Sequence, residues 1–433
     1  MRNEMKVIQV ENHTLTYIAL VLNARAGSAL DPPGREGLAY VTAHMLQRGT
    51  RRHTREQVAD ELDLVGTGIN VSVGAEGVQF FVDCASANLP GLLDVLSEVL
   101  AAPIFDPAEL DKLKRQTLAE IHELRDSDAG LAAYFFSALL HEGHRYGPPA
   151  RGYETSLASI TRDDVVEFYR KHYTQAAFVV GIAGDIGPTI RDQVLDATVR
   201  RLPAGRTRPA TPPVPAGPHG LDLLLVTKPE RTQAQVAVGQ KAIPGSDPRF
   251  MPATVAVTGF GGTFTSVLVR EIREKRGWSY GVGAGLAPGR YTGTFRIRYA
   301  PKNENVAEAL SLTLDLLSAL RTDGLANEHL EFARNYLVNQ HPFSVDTPVH
   351  RLDFLLTLQL TGRPLSQLDR FAETVRTVTD ADANSAISSF LEPERSRIVV
   401  VGDASLQDSL VKLPGIARFR TVPFDHDGPL PPR

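Results

Sequence analysis

The chain has 433 residues, too many for one ordinary hydrophobic core, and its 42% apolar and 22% charged content is that of a soluble globular protein of two to four domains. A net charge of −4 spread along the sequence leaves no basic block, which argues against nucleic acid or an anionic membrane as partner. Cys84 is the only cysteine, so neither an intrachain disulfide nor a cysteine metal cluster is available, in keeping with the cytoplasm.

At the N-terminus Glu4 and Glu11 precede a short apolar run, Leu15 to Leu22. A secretory signal would start basic and carry a longer apolar core, and no apolar run approaches the roughly 20 residues that span a bilayer. The expectation is a cytoplasmic, unanchored protein. Next comes a turn-rich approach, "AGSALDPPGREG", and then a helix predicted over Glu36 to Gln47, with Leu38, Val41 and Leu46 available for a core.

Beyond it the sequence repeats itself. "VQFFVDCASANLPGLLDVLSEVLAAPIFDPAELDKLKRQTLAEI" and "GTFRIRYAPKNENVAEALSLTLDLLSALRTDGLANEHLEFARNYLV" each predict a strand, a turn holding Asn88 or Asn305, an amphipathic helix, a loop and a second helix. Leu92, Leu93, Leu96 and Leu100 recur at helical intervals, as do Leu310, Leu314 and Leu317. Both halves close with a helix and a strand ending in Gly-Asp. The prediction is an α+β protein of two homologous domains, each a mixed or antiparallel sheet packed with helices, over 1–201 and 221–433. A proline-rich linker at 202–220 joins them.

Two stretches offer themselves as sites and are set aside. In "HEGHRYGPPARG", His141 and His144 bracket Glu142, but the turn residues that follow at once leave little helix to present metal ligands on one face. "GFGG" lacks both the Lys-Ser/Thr of a P-loop and the spaced glycines of a dinucleotide fingerprint, so it predicts a hinge or a close approach of backbones. It leads into a helix predicted over Thr265 to Lys275, ended by Gly277, and a strand beginning "WSYGVGAG". Arg273 and Tyr280 then fall at the helix end and strand start, close enough to share one space.

Nearly the whole chain resembles the insulinase–pitrilysin–mitochondrial processing peptidase family of inverted-motif zinc peptidases. The resemblance is carried by "AGSALDPPGREGLAYVTAHMLQRGT" and "REIREKRGWSY". That family's zinc helix holds His-x-x-Glu-His; aligned so, Tyr40 stands at the first ligand, Ala43 at the general base and His44 at the second ligand. The third ligand, a Glu on a later helix, is matched near Asp111. Catalytic zinc requires about three protein ligands and a base for its water. The resemblance therefore implies no metal and no peptidase centre in this chain, with His44 a packed helix histidine.

The family's Arg-then-Tyr pair, seven residues apart, is intact as Arg273 and Tyr280, which implies donors to the substrate carbonyl and its oxyanion. Some bacterial members divide these parts between two half-length subunits. The resemblance thus implies a non-metal subunit of a heterodimeric zinc peptidase. Zinc would sit in a homologous partner carrying His-x-x-Glu-His, and the substrate would be a peptide or unfolded polypeptide. The competing expectation is a catalytically inactive peptide-binding or scaffold protein of the same fold.

Overall fold

The structure, a computed structural model, describes residues 6–205 and 220–431. Of the linker expected at 202–220, residues 206–219 lie outside the described residues, and Leu202 packs into the first core.

Period-two burial in "VQFFVDCA" turns Val78, Phe80, Val82 and Cys84 inward, making Val78–Ala85 a strand with one core face. The continuously apolar Phe178–Gly184 is buried on both faces and takes an interior place in its sheet. Five strands form the first sheet: β1 (Lys6–Glu11), β2 (Tyr17–Ala24), β3 (Asn70–Val73), β4 (Val78–Ala85) and β5 (Phe178–Gly184), in the order β1-β5-β2-β4-β3. Six form the second: β6 (Leu221–Thr227), β7 (Gln235–Ala242), β8 (Val282–Ala287), β9 (Gly293–Tyr299), β10 (Arg397–Gly402) and β11 (Ile416–Pro423), in the order β11-β6-β10-β7-β9-β8.

The pairing repeats strand for strand. β1 with β5 and β6 with β10 are parallel; the remaining matched pairs, β5-β2-β4-β3 and β10-β7-β9-β8, are antiparallel. Only β11 is extra, added parallel to β6 at the edge. The duplicated α+β architecture expected from the sequence is what the chain adopts. The predicted leucines fill the cores, Leu92, Leu96 and Leu100 under the first sheet and Leu310 and Leu317 under the second.

The halves are nonetheless interleaved. Helix Asp128–Leu140, from the first half, lies on β7 and β10 of the second sheet, where Leu131, Phe135 and Leu139 meet Leu224, Ala237 and Val399. Helix Pro348–Thr361, from the second half, returns the exchange on β1 and β5, setting Leu352 and Leu356 on Ile8, Val21 and Val179. Gly181 permits that approach, since a Cβ there would stand 2.9 Å from both leucine Cδ1 atoms.

The first crossing helix ends at a buried charge cluster. Glu142 accepts from Arg418 at 2.5 Å and from Arg420 at 2.7 Å; Arg418 also donates to Asp222, which is 1% exposed, and Arg397 lies 4.0 Å from that carboxylate. Glu142 is thereby committed to arginines, its carboxyl held below its ordinary value by Arg420 and Arg418 against the opposing effect of burial. Among the described residues no helix is long and apolar enough to cross a membrane.

Candidate functional site

The zinc-helix positions lie on Leu38–Met45, a helix that starts where Gly37 turns through φ +97° and the Asp31 carboxylate accepts from the Gly37 and Ala39 N–H groups, both at 2.8 Å. Tyr40 is buried, and its hydroxyl donates to Glu120 Oε2 at 2.8 Å. Arg151 Nε donates to the same oxygen at 2.8 Å, with its guanidinium 5.6 Å from the Tyr40 ring centroid. Ala43 is fully buried, so a methyl group stands where a base would be. The His44 ring lies 4.2 Å from that of Tyr40, and its Nε2 has no hydrogen-bond partner among the described residues.

Asp111 is not part of this group. It is exposed, nine residues before Glu120 on helix Pro107–Leu124, off the buried stripe of Leu110, Leu113 and Thr117 that leads to Glu120. The acidic residue that the fold brings to Tyr40 is Glu120, and sequence reasoning missed both it and Arg151. The signal available was that stripe, which continues through position 120 at helical spacing.

A divalent cation here would find one imidazole and one carboxylate already bonded to a phenol and a guanidinium, with the fixed positive charge of Arg151 beside it. These residues do not fit zinc. Among the described residues, no group of three or more His, Cys, Asp or Glu side chains is placed to hold a metal ion.

Burial pushes His44 and His141 each down to about 4, so both are neutral near pH 7. An unfolded histidine titrates near 6.5. As pH falls from about 6.5 toward 4, the unfolded chain takes up protons that the folded chain refuses, and stability is lost over that window. Urea midpoints should therefore fall between pH 7.5 and pH 5, and less so in His44→Gln. Equal midpoints for the wild-type chain would contradict the burial of these neutral rings.

The second constellation is built differently. Thr258–Gly262 is a buried, wide helical turn continuing helix Phe250–Val257, not a loose loop. The close approach expected of "GFGG" is present at Gly261, where a Cβ would meet the Ala284 backbone nitrogen at 2.7 Å. A second wide turn, Val269–Glu274, carries Arg273. Gly277 reverses the chain at φ +65°, and buried Ser279 ties the loop down by donating to Gly281 O at 2.8 Å and accepting from the Ala300 N–H at 2.9 Å. Tyr280 therefore precedes β8 and is 87% exposed, whereas the sequence predicted it at the start of the strand.

Arg273 and Tyr280 do share one space, with the guanidinium 4.8 Å from the Tyr280 ring centroid. On another side it faces the ring of Phe264, itself 79% exposed, at 5.7 Å. The neighbouring cations are committed, since Glu271 accepts from Lys275 at 2.6 Å and from Arg276 at 2.9 Å. Arg273 has no carboxylate partner among the described residues. Its charge is held between two exposed rings and is available to an anion.

Residues 6–149 match the family model for insulinase (peptidase family M16), and residues 159–337 match the model for the peptidase M16 inactive domain. An uncharacterized zinc protease of Rickettsia bellii is 25% identical over 78% of this chain and 81% of its own. The uncharacterized zinc protease YmxG of Bacillus subtilis is 23% identical over 80% and 83%. Among solved structures, a peptidase M16 inactive domain from Pseudomonas fluorescens superposes with a TM-score of 0.85 at 24% identity, covering 93% of this chain and 96% of that one. The periplasmic protease PqqL of Escherichia coli gives a TM-score of 0.77 at 15% identity, and this chain spans 47% of it.

Proposed function

Because the chain belongs to the M16 (insulinase) peptidase family, we propose that it is the non-metal subunit of a two-chain zinc peptidase, lending Arg273 and Tyr280 to a site whose zinc and general base come from a homologous partner. Bound there, zinc would polarise the scissile carbonyl and supply the attacking hydroxide. This chain's residues do the complementary work. As the peptide carbonyl gains negative charge, the Arg273 guanidinium offers a fixed positive fork and the Tyr280 hydroxyl a directional donor.

The observation that carries this reading is the state of Arg273. It has no carboxylate partner and lies between exposed rings, while Lys275 and Arg276 beside it are both occupied by Glu271. A buried packing arginine would be paired. The substrate class is peptides or unfolded segments, and the compartment proposed is the cytoplasm, in keeping with the single cysteine.

The proposal is tested by affinity capture of this chain from its native cells, with mass spectrometry of what co-purifies. A stoichiometric partner of similar length carrying His-x-x-Glu-His is the expected result. Recovery of the chain as a homodimer, or with unrelated proteins only, would favour a catalytically inactive peptide-binding or scaffold protein.

A further inference from the structure

A donor that waits for an oxyanion has to be held in place before the charge develops, and an arginine has many rotamers to lose. A carboxylate would hold Arg273 but would also neutralise it, as Glu271 does for Lys275 and Arg276. Arg273 has rings instead, that of Tyr280 at 4.8 Å from its guanidinium and that of Phe264 at 5.7 Å. An aromatic face attracts a cation within about 6 Å of its centroid and brings no formal charge to cancel it. The two rings differ in what else they offer. Tyr280 has a hydroxyl that can donate, whereas the Phe264 side chain is hydrocarbon alone, so its ring face is all it offers a guanidinium.

Phe264 is presented from a firm base. Its ring is 79% exposed, yet Thr263 beside it is 9% exposed and Ser266 2%. The wide turn Thr258–Gly262 just before it seats Phe260 in the second core. The ring also lines a cleft of about 740 Å³ with Val269, Val282 and Tyr336, so it touches the cleft and the guanidinium together. Exposure alone would mean little, since single apolar side chains are common on protein surfaces. Phe343, 76% exposed on helix Asn327–Ser344, stands over no cation among the described residues and serves as the contrast.

We propose that Phe264 is a positioning residue, whose ring holds the Arg273 guanidinium beside the cleft with its charge uncancelled. The contact belongs to this chain alone; its consequence for turnover rests on the peptidase reading above.

The contact is tested on the full chain by nitrogen relaxation of the Arg273 Nε–Hε group, identified by its loss in Arg273→Lys. That group should behave as an ordered side chain in the parent and in Phe264→Tyr and Phe264→Trp. In Phe264→Leu, which keeps apolar bulk without a ring face, it should move like an unrestrained one, and Phe343→Leu should change nothing. In the two-chain enzyme, Phe264→Leu should lower kcat about fivefold with KM within about twofold, and Phe264→Trp should restore it. An Arg273 that stays ordered in Phe264→Leu overturns the proposal, and so does a loss of kcat that Phe264→Trp leaves in place. Unchanged kcat in Phe264→Leu beside a lowered kcat in Arg273→Ala overturns it as well. If Phe264→Leu loosens Arg273 while neither variant alters turnover, the holding of Arg273 stands and the peptidase reading is what fails.

Discussion

On the proposed reading, Arg273→Ala should lower kcat/KM of the two-chain peptidase by about 100-fold, most of it in kcat, because the donor it removes would act where charge develops in the transition state. Tyr280→Phe lowers it by tens of fold while keeping the ring against the guanidinium, so the two variants separate the hydroxyl from the stacking surface. Arg276→Ala, three residues along and just past that turn, should leave turnover within about twofold, since its guanidinium is already bonded to Glu271 at 2.9 Å. The comparison removes the same net charge at two adjacent places. Steady-state kinetics on the two-chain enzyme with one peptide would check it, and unchanged turnover in Arg273→Ala would end the assignment of the pair.

The second large effect is on stability. Asp222→Ala should cost about 3–5 kcal/mol, the penalty for leaving buried charge uncompensated. Arg397, Arg418 and Arg420 converge on Asp222 and Glu142, and both Asp222 and Arg397 are almost wholly buried. Removing one carboxylate leaves Glu142 to face the arginines alone. This cluster ties β6, β10 and β11 to the end of the first crossing helix, so its loss should loosen the joint between halves. Urea unfolding of the variant measures the loss, and adding Arg418→Met should restore part of it, because the two positions are coupled. A variant as stable as the parent would mean that the arginines are adequately solvated without Asp222.

Much of the fold is legible because period and repetition are properties of sequence. The leucine spacings at 92–100 and 310–317, and the shared Asn turns and Gly-Asp endings, are enough to predict a duplicated α+β chain. The interleaving is not legible. Helix Asp128–Leu140 is apolar over most of its surface, which predicts burial but not that the covering sheet belongs to the other half.

The site divides in the same way. Arg273 and Tyr280 could be placed together because they are close in sequence and separated by a glycine that must turn. The partner of Tyr40 could not, since it comes from a distant helix whose register depends on how Leu110, Leu113 and Thr117 seat. A slip of nine residues gave Asp111 in place of Glu120. Arg151 arrives from a loop with no periodicity at all. Phe264 lies two residues beyond GFGG, and an exposed phenylalanine acquires meaning only when the guanidinium beside it is seen.

The central claim is that this chain lends residues to a peptidase without having a peptidase centre of its own. The most direct test is peptide hydrolysis and bound zinc, measured on the purified chain alone and after mixing with the captured partner. The account predicts no hydrolysis and no stoichiometric zinc for the chain alone, then chelator-sensitive cleavage on mixing that Arg273→Ala suppresses. One zinc bound by the chain alone, with chelator-sensitive cleavage, would contradict it.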